Sequence, residues 1–321
     1  MNNFLKIFLE VIGVTLPIFA VIAVGFFIKK KGIVNDRHVP LLNKLTYNFG
    51  LSSLVFLNIA ENKLKEIFDV NILKVIFPTY FLFLIIVFLS FYFLKIKNQT
   101  KGAAIVSTYR SNMAFIGMPV LLYAYGSLAT AKASIVIACL LPLNILTTAL
   151  FLRLSNTQDS KGKDRKTGIK KLVIEIITDP VIIAVIAGLI ISYFSYEIPA
   201  PIFKFFEILS SLAVPLALIS IGASFKFSHI KSNIRYLSLI SFGKLILLPL
   251  LSLVFSIFIF KVGKLDRDII CILCAMPLAV ATFIQSERYN SDTDFVSSAL
   301  IITTLISAAT ITAWLFLLKL I

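Results

Sequence analysis

Two short segments combine a helix-breaking proline with glycine or other small residues in the middle of apolar sequence. The first runs from Asn112 to Pro119 and contains Gly117, and the second is Cys274-Ala275-Met276-Pro277. Proline removes a backbone donor and clashes with the preceding helical turn, and glycine lowers the cost of leaving the helix. Within a membrane, such a break is tolerated only where the freed backbone groups face protein or a cavity. We therefore predict one break near Gly117–Pro119 and a second near Pro277.

A pair of breaks of this kind can bind an anion. Each new half-helix exposes backbone N–H groups and the positive end of its dipole. Two such N-termini meeting near the middle of a membrane form a site for a carboxylate, to which the Asn112 amide would add a side-chain donor. No predicted span carries an acidic residue near its centre, so a cationic substrate would find no partner. The structural alternative is that each proline only kinks its helix and that Asn112 only bridges helices.

Four ionisable residues are candidates for charge recognition or coupling. Arg110 and Lys244 lie within predicted spans, where ionisable side chains are functional candidates by default. Arg110 could attract anions from the cytoplasm or pair with Glu287; the alternative for both cations is that their long side chains reach the interface. Asp179, which precedes Pro180, is either a helix N-cap or an acid for proton coupling.

Composition places these residues in a membrane protein. The chain has 321 residues, of which 59% are hydrophobic and only 15% charged, and its mean hydropathy is +0.96. The net charge of +15 would suggest nucleic acid in a soluble chain, but here it matches the basic cytoplasmic loops of a polytopic protein. The expected surroundings are therefore a lipid bilayer, with no nucleic-acid partner. The three cysteines, Cys139, Cys271 and Cys274, are expected to be packing residues.

The apolar runs predict an all-α integral membrane protein with ten spans. The basic loops orient both termini outside the cell membrane. A linker-like segment at 153–171 separates a first five-span unit, 1–152, from a second, 172–321. The predicted spans are 10–28, 40–60, 71–94, 102–125, 130–152, 174–194, 203–224, 236–260, 267–288 and 295–319.

The two units are related in sequence. A shift of 163 residues places Pro17 on Pro180 and Gly25 on Gly188. Because each unit has an odd number of spans, the second must enter the membrane from the opposite side. The prediction is therefore an inverted repeat, in which the fourth and ninth spans are the broken ones.

On these features the sequence resembles the auxin efflux carrier family, which includes plant PIN proteins and bacterial malonate-type transporters. The most specific part is Asn112-x-x-x-x-Gly117-x-Pro119, followed by Ala275-Met276-Pro277 and by Pro215 to Gly222. The resemblance implies ten spans in two inverted repeats, with helices 4 and 9 crossing beside the substrate. It also implies a substrate contact from Asn144, while Ala281-Thr282 stands where members commonly carry an asparagine. The expected substrate-binding residues are thus Asn112, Gly117, Met118, Pro119, Asn144, Met276, Pro277 and Thr282.

The function predicted from sequence is secondary transport, by efflux or exchange, of small organic anions such as carboxylates, through alternating access. The scaffold spans 1, 2, 6 and 7 are also the expected contact of a homodimer. A sodium-coupled organic-anion symporter of the bile acid symporter type, or a membrane receptor or sensor, are the alternatives. No catalytic or phosphate-binding motif is present in the sequence, so we expect neither an enzyme nor a cofactor.

Overall fold

The protein is an all-helical integral membrane protein in its described part. The computed structural model describes residues 3–94, 96–155, 173–174, 176–225 and 234–321. Within those ranges every regular element is helical, apart from a single isolated β-bridge. Six helical stretches there are long and apolar enough to cross a membrane. The predicted linker at 153–171 falls outside the described residues except for its first three, which end a helix.

The first half of the chain folds into seven α-helices. They are α1 (Asn3–Lys30), α2 (Val39–Leu45), α3 (Ser52–Ala60), α4 (Leu64–Ile67), α5 (Val70–Tyr92), α6 (Asn98–Tyr109) and α7 (Met118–Ser155). Wider π turns follow α2 (Thr46–Leu51) and precede α7 (Met113–Gly117). Within α7, Gly126 has a φ of 81° and a ψ of −167°, which no helix contains, so two successive helices meet there.

The second half has eight α-helices among its described residues. They are α8 (Pro180–Phe194), α9 (Ala200–Ser210), α10 (Ala213–Ala223), α11 (Ile234–Phe242), α12 (Leu248–Val254), α13 (Lys264–Cys274), α14 (Val280–Arg288) and α15 (Thr293–Leu320). Two π turns, Gly243–Leu247 and Phe255–Ile259, flank α12. The segment between α13 and α14 is non-helical and contains Pro277.

Close helix contacts depend on glycine. Helix α1 packs along α10, where a β-carbon on Gly222 would overlap the carbonyl oxygen of Ile22 and one on Gly25 would overlap that of Ile219. In lipid, where apolar side chains gain little from meeting one another, small residues allow backbones to approach and dispersion contacts to form. Helix α8 packs on α3 in the same way, since Gly188 lies against Ile59.

The first helix break is not where the sequence predicted it. The interruption is at Arg110–Asn112, and the new helical turn starts at Met113, several residues before Pro119. Asn112 sets the break because its Oδ1 accepts a hydrogen bond from the N–H of Phe115, at 3.3 Å, as an N-cap. Pro119 lies just after the π turn, near the start of α7, where a proline is readily accommodated.

Candidate functional site

The two helix breaks meet and pair with each other. Ser111 and Leu278 form an antiparallel bridge. The N–H of Asn112 donates to the carbonyl of Pro277 at 2.7 Å, and the N–H of Ala279 donates to the carbonyl of Arg110 at 3.1 Å. Backbone groups freed by one interruption are thus satisfied by the other, which is how non-helical chain can persist in an apolar interior. We call this pair of segments, 110–112 and 275–279, the crossing.

Gly117 allows the two broken helices to approach. A β-carbon there would lie 3.2 Å from Cδ2 of Leu273 and 3.2 Å from Cγ of Met276. Gly117, Leu273 and Met276 are all buried. The predicted site residues Gly117 and Met276 therefore pack against each other beside the crossing rather than lining the cavity.

A cavity of about 380 Å³ lies beside the crossing. Its volume is within the range of small-molecule sites. Both half-helix starts face it, through Met113 and Ala114 on one side and Val280 and Ala281 on the other. Its polar lining comes from α2 and the following turn, from the crossing, and from α7, α8 and α14: Asn43, Lys44, Tyr47, Asn48, Arg110, Ser111, Asn112, Asn144, Asp179 and Gln285.

Asn112 lines this cavity and has an unused side-chain donor. Its side chain is 4% exposed, and while Oδ1 caps the following turn, Nδ2 has no hydrogen-bond partner among the described residues. A buried donor without an acceptor costs about 1–3 kcal/mol. An acceptor bound in the cavity would remove that cost.

Arg110 is held in the cavity wall by neutral acceptors. Its Nη1 donates to the carbonyl of Asn144 (3.1 Å), to Oγ1 of Thr148 (3.0 Å) and to Oε1 of Gln285 (3.1 Å). Nε and Nη2 have no acceptor within the described part of the chain. Because a guanidinium offers five N–H groups in a planar fork, the free edge of Arg110 suits a carboxylate. The side chain is only 6% exposed, so the idea that it reaches the membrane interface is wrong.

Asp179 is a helix N-cap, which is one of the two roles predicted for it from sequence. Its Oδ1 accepts from the N–H groups of Val181 (2.9 Å) and Ile182 (3.2 Å) at the start of α8. Its carboxylate also accepts a hydrogen bond from the Tyr47 hydroxyl, at 3.0 Å to Oδ2. The Tyr47 ring packs against Phe115, with centroids 6.4 Å apart. Asp179 thereby links α8 to the turn after α2 at the edge of the cavity.

Lys244 is buried and also points at the crossing. Its Nζ donates to Oγ of Ser111 at 2.9 Å, and the Tyr80 hydroxyl donates to the same oxygen at 3.1 Å. The lysine is 0% exposed. The alternative prediction for Lys244, that its side chain reaches the membrane interface, is therefore wrong as well.

The other predicted residues have different surroundings. Met118 and Pro119 are buried beside a separate small pocket, against α10. Pro277 offers its carbonyl to Asn112, and Thr282 has a buried hydroxyl without a hydrogen-bond partner among the described residues. Glu287 is exposed in the last turn of α14 and forms no ion pair with Arg110. The three cysteines are free thiols.

Sequence reasoning missed three polar groups of the site. Ser111 is the shared acceptor at the crossing, Gln285 holds Arg110, and Tyr47 holds Asp179. Ser111 could have been found, because a serine directly before an N-cap asparagine marks a non-helical segment. Tyr47 and Gln285 come from distant parts of the chain, and nothing local in the sequence brings them to the cavity.

Comparisons with known proteins agree on one family of membrane transporters. Residues 10–315 match the family model described as "Membrane transport protein". An uncharacterized transporter of Methanocaldococcus jannaschii is 27% identical over 307 residues, which cover 94% of this chain and 96% of that protein. A Rhizobium meliloti protein named "Putative malonate transporter" is 22% identical over 97% of this chain and 96% of its own length. The Escherichia coli K12 transporter YfdV is 24% identical, covering 97% of this chain and 98% of that protein.

Proposed function

The chain belongs to this membrane transport protein family, to which the auxin efflux carriers belong, and we propose that it is a secondary active transporter of small organic anions. Membership assigns it to a class of transporters rather than to a class of enzymes. The proposed cargo is a carboxylate, moved by efflux or exchange. The observation that carries this proposal is the pair of unused donors in one cavity, the Asn112 amide and the free edge of the Arg110 guanidinium.

The electrostatics of the cavity favour an anion. The first residues of two half-helices, Met113–Ala114 and Val280–Ala281, line it, so the positive ends of two helix dipoles lie at the cavity. Arg110 adds a full positive charge, and its hydrogen-bond partners are neutral. A carboxylate placed between Asn112 and Arg110 would accept from both, whereas a cation would meet like charge.

The relative named for malonate suggests a small dicarboxylate. The exposed Lys44 also lines the cavity. In this proposal one carboxylate binds at the crossing, and a second is drawn toward Lys44. Malonate is therefore the first compound to test.

Ten spans in two inverted repeats remain the proposed architecture. Two observations support it. Helix α1 of the first unit packs on α10 of the second at Gly25, and α8 of the second unit packs on α3 of the first at Gly188. Gly25 and Gly188 are related by the shift of 163 residues. Gly50 contacts Ala213, and these two positions are themselves related by the shift of 163 residues.

Alternating access would act around the crossing. In the proposed arrangement spans 3–5 and 8–10 move against a scaffold of spans 1, 2, 6 and 7, which would also form a homodimer contact. Both groups contribute to the cavity lining, since α2 and Asp179 belong to spans 2 and 6, and the crossing belongs to spans 4 and 9. If both termini are outside the cell membrane, the loops near Pro40, Asp179 and Gln285 are cytoplasmic, and the cavity opens inward.

Exchange in proteoliposomes tests the transport proposal. Vesicles loaded with unlabelled malonate should accumulate external labelled malonate with the wild-type protein, and Arg110→Gln should lower the rate at least tenfold. Lys204→Gln, on the exposed face of α9, is the matched control and should transport normally. Rates equal to those of empty vesicles for a full panel of mono- and dicarboxylates would refute the proposal. Binding without flux would favour a receptor, and loss of flux when choline replaces sodium would favour a sodium symporter.

A further inference from the structure

Lys244 is a buried cation at the crossing that the anion site does not use. Its only hydrogen-bond partner among the described residues is the neutral Ser111 hydroxyl, and no carboxylate there pairs with it. A charged ammonium in a water-poor interior without a carboxylate is unfavourable. Retaining a lysine at such a position therefore calls for a role in which its charge changes.

The groups around Lys244 make its charge depend on the anion. No acidic side chain among the described residues faces it: α5 contributes the Tyr80 hydroxyl, the crossing contributes Arg110, and α13 contributes Cys274. Helix α15 carries ionisable residues only near its ends, at Asp294 and Lys319, and α11 only at Arg235 and Tyr236, two turns or more before Lys244. The nearby guanidinium of Arg110 opposes a second positive charge.

One residue of extended backbone separates Lys244 from the cavity. Arg110, Ser111 and Asn112 all line the cavity, and the Ser111 hydroxyl also accepts hydrogen bonds from Lys244 and Tyr80. The Ser111 hydroxyl thus connects Lys244 with the cavity. An anion bound by Arg110 and Asn112 therefore places its negative charge across Ser111 from the amine.

We propose that Lys244 is the binding site for a proton that is carried together with the anion. The inference rests on the proposed function. Without anion, Arg110 and the apolar surroundings favour the neutral amine; with anion bound, the ammonium gains a compensating charge. The amine lone pair then takes a proton from the Ser111 hydroxyl, which regains one from water in the cavity. After the cavity opens to the opposite side, the anion leaves and the proton returns to water there, so one proton crosses with each anion.

Proton uptake on malonate binding tests this inference. The wild-type protein, titrated calorimetrically in buffers of different ionisation enthalpy between about pH 6 and 9, should take up close to one proton per malonate. Its affinity should rise by up to about tenfold per unit fall in pH over part of that range. Lys244→Met, which keeps the length of the side chain, should bind malonate with no such uptake, and Lys204→Met should behave as wild type.

The outcomes separate the two proposals. If the wild-type protein binds neither malonate nor any other carboxylate tested, the proposed function fails. If it binds malonate with no proton uptake, or if Lys244→Met retains the wild-type uptake, the role of Lys244 is overturned while the anion site stands. A wild-type proton count of zero overturns the role of Lys244 even where Lys244→Met does not fold.

Discussion

Replacing Asn112 by serine removes one donor from the cavity and leaves the helix break in place. The asparagine has two separate tasks: Oδ1 caps the turn at Phe115, and Nδ2 lies buried without a partner. Serine is as good an N-cap as asparagine, so its hydroxyl can take over the first task. It is too short to take over the second. The substitution thus isolates the contribution of the amide donor.

The expected effects have opposite signs in the free and bound protein. A hydrogen bond to a charged group contributes about 1.5–3 kcal/mol, so Asn112→Ser should weaken malonate binding roughly 10- to 150-fold. The free protein should be as stable as wild type or more stable, because a buried unsatisfied donor has been removed. A residue that only joined helices would instead lower the stability of the free protein.

Thermal unfolding in detergent measures both effects on one sample. Without malonate, the Tm of the variant should equal or exceed that of the wild-type protein. The increase in Tm with malonate concentration should be much smaller for the variant than for the wild-type protein. Asn62→Ser is the matched control, since the Asn62 amide bonds within its own helix end and lies outside the cavity. A malonate affinity unchanged by Asn112→Ser would refute the assignment of this amide to the anion.

Two further substitutions test the packing on which the site depends. Gly222→Val should prevent the chain from folding into a monodisperse protein, because any β-carbon at Gly222 overlaps the backbone of Ile22. Gly13→Val is the control and should be tolerated, because a β-carbon at Gly13 meets no atom within 4 Å. Equal melting points for the two variants would contradict this packing. Lys132→Met breaks a 2.7 Å ion pair between Lys132 and Asp266, whose side chains are 11% and 9% exposed. The free energy of unfolding should fall by about 3–5 kcal/mol, because a buried carboxylate is left without its partner. Adding Asp266→Asn to the same chain should restore part of the lost stability. No change in Tm for the single Lys132 variant would show that this pair is dispensable.

The class of protein and the neighbourhood of the site follow from local sequence. Apolar runs, sparse charge and proline next to small residues predict interrupted membrane helices, and the second interruption does contain Pro277. The first was misplaced because proline was weighed above asparagine. In the structure the N-cap Asn112 sets the break, and Pro119 is accommodated beyond a π turn that the sequence gives no means to foresee.

The polar partners within the site could not be predicted in the same way. Arg110 and Lys244 are predicted from sequence to lie in spans, but their orientation depends on acceptors from distant segments, namely Thr148 and Gln285 for Arg110 and Ser111 for Lys244. Such contacts are set by how the helices pack. A single sequence reports which faces are apolar, and not which polar groups meet across them.

A structure determined with bound malonate would show whether the anion lies where the two helix breaks meet. We expect density for a carboxylate within hydrogen-bond distance of Asn112 Nδ2 and of the free edge of Arg110, between the starts of the two half-helices. Malonate bound elsewhere, or a cavity without malonate density at a concentration that saturates binding in solution, would contradict it.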